Sequence, residues 1–113
     1  MATVEMTPRW HAPAPVFAAL GDETRLRLLA RLWEKGSLSI SELALGSLVT
    51  RQAITKHLLV LSKAGLVKGT RSGRESVWKL ERKGLHQANR WLNQISQQWD
   101  DRLERLRSLV EDS

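Results

Sequence analysis

The sequence predicts a mainly α-helical fold with one small β-wing, and three observations predict it. Residues 50–67 read as one capped amphipathic helix whose outer face is polar and basic. A second short helical segment precedes it, and two extended runs around a turn dipeptide follow it. A long C-terminal stretch, from Leu85 to about Val110, carries apolar residues at helical spacing. Two short helices joined by a tight turn and followed by a hairpin make a winged helix-turn-helix. A terminal helix with one apolar stripe adds dimerisation through the chain ends.

The elements follow in chain order. At 113 residues with 42% apolar composition, the chain has the size of one domain. Residues 1–14 hold Pro8, Pro13 and few core candidates, which predicts an N-terminal arm. The winged helix-turn-helix is expected over residues 15–83 and the dimerisation helix over 84–113. Pro15 suits the first position of a short helix through Leu20. Asp22 is placed to cap a stronger helix over Glu23 to Trp33, with Leu26, Leu29, Ala30 and Trp33 on one face and Gly36 at its end. Ser41 is the expected cap of a short helix from Glu42 to about Gly46, with Leu43 and Ala44 facing inward.

In the next helix, Ile54, Leu58 and Leu61 recur at i, i+4 and i+7 on one stripe. Gln52, Lys56, Leu59 and Lys63 fall opposite, flanked by Arg51 and Thr55. Thr50 can cap its start, and Gly65 can take the left-handed conformation that closes it. Leu66 to Arg71 and Arg74 to Leu80 then flank Ser72-Gly73 as a hairpin. In the last helix Leu85, Ala88, Leu92, Ile95, Trp99, Leu103, Leu106 and Val110 step by three or four, nearly a heptad stripe. A helix that long cannot hide the whole stripe against so small a core. A homodimer is therefore expected, built from this helix and the first one. Its expected interface comprises Phe17, Leu85, Ala88, Trp91, Leu92, Ile95, Trp99, Leu103 and Leu106, with the two tryptophans as the large anchors.

Charge points to the partner. Residues 47–83 contain nine basic side chains against Glu75 and Glu81, so the chain's net charge of +6 is concentrated there. A local basic face is the electrostatic footprint of nucleic-acid binding. Arg51, Gln52, Thr55 and Lys56, on the first turns of the helix, are the candidates for base edges. Thr50, His57, Lys63, Lys68, Arg71 and Arg74 are the candidates for phosphate contacts, the last three along the wing. The function expected from the residues is sequence-specific binding of double-stranded DNA. The alternative is a winged helix used as a protein–protein module with an acidic partner.

These residues also carry a family resemblance. ALGDETRLRLLARL, SELA, RQAITKHL..L...GLV and GRESVWKL, between about Phe17 and Val110, resemble the ArsR-type winged-helix transcriptional repressors. The closing RWLNQISQQWDDRLERL resembles a subgroup with a tryptophan-containing C-terminal helix. The resemblance implies a dimeric repressor that leaves an inverted-repeat operator when an inducer binds, often a metal ion. The chain departs from the metal-sensing pattern: it has no cysteine, which excludes thiolate ligation and thiol-redox sensing. His11, His57 and His86 are scattered, so neither a metal site nor a cofactor is expected, and the inducer stays open between a small molecule and a metal. Leu59 stands where many relatives place a basic residue. No nucleophile–base signature or Gly-rich phosphate loop is present, so no enzyme is expected. No apolar run approaches a membrane span and no signal peptide is seen, which predicts a cytoplasmic protein.

Overall fold

The computed structural model describes residues 13–111. Most of the expected arm, and His11 with it, lies outside the described residues. The helices are α1 (Ala14–Leu20), α2 (Glu23–Lys35), α3 (Ile40–Ala44), α4 (Arg51–Lys63) and α5 (Arg82–Glu111). The strands are β1 (Ser37–Ser39), β2 (Val67–Ser72) and β3 (Glu75–Leu80), an antiparallel sheet in the order β1-β3-β2.

Local chemistry starts the helices where it should. Pro13 and Pro15 sit at the entry to α1, where a missing N–H costs nothing. Asp22 caps α2 by accepting from the Arg25 N–H. Thr50 caps α4 by accepting from the Ala53 N–H at 3.1 Å. The cap of α3 is Ser39, not Ser41. Ser39 and Glu42 form a reciprocal capping box, and Ser41 has no acceptor for the equivalent return bond because Ala44 stands three residues on.

The core gathers Leu28 and Leu32 of α2, Leu43 of α3, Ile54, Leu58 and Leu61 of α4, and Leu38, Val67 and Trp78 of the sheet, with Leu66 between α4 and β2. Ala44 packs partly against it. On α2 the buried face differs from the expected one. Leu26 is 48% and Trp33 77% exposed, Ala30 is exposed, and Leu29 alone of that set is partly buried. This helix carries two overlapping apolar stripes, and the choice between them is made by its arginines. Burying Leu28 and Leu32 sets Arg25 and Arg31 at the margins of the contact. There Arg31 donates to the Leu43 and Glu42 carbonyls at 2.6 and 2.9 Å, satisfying the end of α3.

β1 has no counterpart among the sequence expectations. Its three residues pair with Lys79, Trp78 and Val77 of β3 and give that strand a second neighbour. The hairpin turn is Gly73-Arg74, one residue later than expected, because Ser72 pairs with Glu75. Gly73 takes φ +65° and, among the described residues, no non-glycine residue has positive φ, the pattern of a type II′ turn with glycine first.

α5 begins a turn earlier than Leu85 and runs for 30 residues, about 45 Å at the helical rise. Gly84 and Ala88 are buried, Trp91 and Ile95 partly so, and every residue from 96 to 111 is exposed. The far half of the helix thus leaves the domain body. The radius of gyration, 19.4 Å, reflects this projection, a compact domain of this length having about 13 Å.

Candidate nucleic-acid interface

α4 lies across the molecule with Ile54, Leu58 and Leu61 fully buried, which turns the opposite side to solvent. Gln52, Lys56, Leu59 and Lys63 are all exposed there. Among the described residues the side chains of Gln52 and Lys56 make no hydrogen bond or ion pair, so both are free to meet a ligand. Arg51 is held: its guanidinium donates to Ser41 Oγ at 3.0 Å, bridging α3 and α4 across the turn. Thr55 Oγ1 donates back to the Arg51 carbonyl at 2.9 Å. Thr50 accepts the Ala53 N–H through its oxygen, which leaves its hydroxyl proton available outward.

Arg71 and Arg74 are exposed at the wing tip. Behind the tip the wing is stiffened by Trp78, which lies over Gly69 on the neighbouring strand. A Cβ at Gly69 would come within 2.9 Å of the indole, so only glycine lets the ring settle. Lys63 and Lys68 stand apart from the tip, at the end of α4 and the base of β2.

His57 is placed away from the basic face. A guanidinium can only donate, so the Arg25 Nη1 contact at 3.3 Å makes His57 Nδ1 the acceptor. Arg25 also donates to the Ala19 and Ala18 carbonyls, at 2.7 and 3.3 Å. One side chain thus closes the end of α1 and braces the middle of α4. Sequence reading missed this brace, whose only local sign was the adjacency of Asp22 and Arg25.

The Arg25 backbone N–H bonded to its carboxylate holds Asp22 below the usual carboxylate range, and the Arg25 guanidinium adds to the effect. A carboxylate depressed on folding contributes stability above its unfolded value and loses it as pH falls through the folded one. Asp22→Asn keeps a capping side chain without the titration. Its acid unfolding curve below about pH 4 is therefore expected to be shallower than that of the wild type, followed by circular dichroism. Superimposable curves would contradict the cap's electrostatic role.

A close approach fixes the start of α5 to the turn that follows α4. Gly84 N–H donates to the Gly65 carbonyl at 2.8 Å, and Glu81 N–H to the Leu66 carbonyl at 2.9 Å. A Cβ on Gly84 would stand 2.4 Å from the Ala64 carbonyl oxygen. Of the residues expected at a dimer contact, Ala88 is buried inside the protomer and Phe17 meets Trp91 edge-on at 5.4 Å in the same chain. Leu85, Leu92, Trp99, Leu103 and Leu106 remain 42–60% exposed. Among the described residues no three His, Cys, Asp or Glu side chains converge as metal ligands, and no helix is long and apolar enough to cross a membrane.

Comparison with known proteins assigns this geometry. Residues 20–70 match the family profile described as a helix-turn-helix domain. The HTH-type transcriptional regulator YuzN of Bacillus subtilis is 44% identical over 68 residues, 55% of this chain and 74% of that protein. The ArsR-like transcriptional regulator of Rhodococcus sp. RHA1 superposes with a TM-score of 0.83 at 38% identity, over 92% of this chain and 94% of the other. The chain belongs to the ArsR-like family of helix-turn-helix transcriptional regulators. A further likeness is to the HTH-type transcriptional regulator Rv2034 of Mycobacterium tuberculosis, 37% identical over 76 residues, 67% of this chain and 70% of that protein. This ArsR-like protein is accordingly a DNA-binding transcriptional regulator and not an enzyme. In it α3 and α4 form the helix-turn-helix, and β2–β3 form the wing.

Proposed function

We propose that the protein is a homodimeric repressor that binds an inverted-repeat operator in the cytosol and leaves it when an inducer favours another dimer geometry. The observation that carries this reading is α5, whose apolar stripe stays open along the half that leaves the domain body. A second copy of the same helix covers such a stripe with an isologous contact about a two-fold axis. Two α4 helices related by that axis then meet successive major grooves about one helical turn apart.

Arg51, Gln52, Thr55 and Lys56 read base edges from the first turns of α4, while Thr50, Arg71 and Arg74 contact phosphates. Repression is steric, since a dimer seated on a promoter excludes polymerase. The inducer acts by binding more tightly to a dimer whose reading helices are wrongly spaced.

The division of roles is tested by two substitutions. Lys56→Ala is expected to weaken operator binding by about 1–3 kcal/mol and to relax the preference at one position of each half-site. Arg74→Ala is expected to weaken all duplexes alike and to lower the slope of log K against log salt by about 2, one phosphate per wing. Gel-shift titrations of operator and scrambled duplexes separate the two. Identical losses on both duplexes for both variants would refute the assignment.

A further inference from the structure

The end of α4, the base of β2 and the start of α5 border an open cleft of about 390 Å³. Three lysines from three elements line it: Lys63, Lys68 and Lys83, with Glu81 and Gln87 between them. All three are exposed, and among the described residues none forms an ion pair, although Glu81 shares the same wall. Lys68 also stands directly opposite Lys79 in the β2–β3 ladder, a like-charge pairing that destabilises adjacent strands.

The cleft lies at the far end of the same α4 face, beyond the first turns and away from the wing tip. Lys63 follows Lys56 by about 10 Å of helix, and Lys68 precedes the wing turn by about 17 Å of strand. Three ammonium groups against one carboxylate leave two positive charges in excess, and a concave wall concentrates their field. The first turn of α5 adds no acidic side chain, and the N–H groups of Arg82 and Lys83 donate to no backbone carbonyl among the described residues.

We propose that this cleft binds a small phosphate-bearing anion with at least two negative charges. Lys63, Lys68 and Lys83 act as point-charge contacts, and Gln87 supplies a neutral hydrogen-bonding partner. A phosphate monoester carries about −1.5 to −2 at pH 7, which matches the local excess. A duplex phosphodiester brings a single charge, so a free anion fits the cleft better than the backbone of bound DNA. The site goes beyond the repressor reading and does not depend on it.

Inorganic pyrophosphate is the probe, titrated at constant ionic strength into the full chain without DNA and followed by amide NMR. Saturable shifts confined to residues 62–68 and 81–87 are expected. In Lys83→Gln/Gln87→Ala, two exposed positions outside the proposed base and phosphate contacts, the affinity for pyrophosphate is expected to fall at least tenfold. Non-saturating shifts spread equally over Arg51, Lys56, Arg71 and Arg74, or no shifts, would overturn the proposal. The same variant titrated with duplex distinguishes the source of the anion. Duplex affinity within about twofold of wild type supports a free ligand, and a tenfold loss on every duplex overturns it in favour of a DNA phosphate. A chain that binds pyrophosphate but no duplex would sink only the repressor reading.

Discussion

Leu103→Asp is expected to leave the winged-helix body folded and to abolish dimers at micromolar concentration. Leu103 lies in the stretch of α5 where every residue from 96 to 111 is exposed, and its own exposure is 49%. No packing inside the protomer depends on it, so far-ultraviolet circular dichroism should report an intact helical fold. Leu92, Trp99, Leu106 and Val110 continue the same line on the helix surface, each at least half exposed. Burying one leucine is worth about 1.5–3 kcal/mol, and an aspartate in its place adds the cost of desolvating a charge. Each dimer carries the change twice, so the dimer dissociation constant should rise at least about 1000-fold, more than 4 kcal/mol. The lone protomer would meet one half-site only, and the loss of linked binding should weaken operator affinity by roughly 10²–10⁴-fold. Sedimentation velocity with a parallel duplex titration checks both effects. A variant that still sediments as a dimer would place the interface elsewhere.

Gly84→Ala is expected to have the second large effect, through the joint between α5 and α4. The added methyl would stand 2.4 Å from the Ala64 carbonyl oxygen and 2.9 Å from that of Gly65, both backbone atoms with no flexible end to give way. Relief requires the start of α5 to move off the turn that follows α4, which also strains the Gly84 N–H bond to Gly65. A backbone overpacking of this kind costs about 2–3 kcal/mol, and a domain of this size should melt roughly 10–20 °C lower. The consequence for function is geometric. Because α5 is fixed to the end of α4 at this crossing, a shift there re-aims the reading helix relative to the proposed two-fold axis. Operator affinity should therefore fall more than affinity for random duplex, measured well below the melting temperature. A variant within about 0.5 kcal/mol of wild-type stability would contradict the tight crossing.

Local signals made much of the fold legible in the sequence. Thr50 and Asp22 cap the helices they were expected to cap, and Ile54, Leu58 and Leu61 are buried as their spacing predicts. Gly65 takes the left-handed conformation expected after α4, with φ +73°. The Ser39 cap was also readable, since Ser39-x-x-Glu42 is a capping-box pattern and Ser41-x-x-Ala44 is not. Other features depend on contacts between distant segments. β1 exists because Leu38 can pair with Trp78 across forty residues, and a Ser-Leu-Ser run carries no strand signal of its own. The buried stripe of α2 was ambiguous because apolar residues occupy both candidate faces. Arg25 and Arg31 decide it by reaching the ends of α1 and α3. The need for glycine at position 84 appears only when α5 meets the turn that follows α4.

The candidate interface divides in the same way. The exposure of Gln52 and Lys56 follows from helical periodicity alone, and their freedom from partners agrees with it. Arg51 and His57 do not follow from periodicity. Ser41 holds the first, and the second turns toward Arg25, because each meets a polar group on another helix. Leu59 remains 51% exposed on the outer face of α4, and nothing in the structure explains a leucine there.

The most direct test of the central claim is selection of binding sites from a random duplex library by the purified chain, with the stoichiometry of the selected complex measured by sedimentation. A dyad-symmetric sequence is predicted, with half-site centres about one helical turn apart and two chains on each duplex. Recovery of no preferred sequence, or of an asymmetric site occupied by one chain, would contradict it.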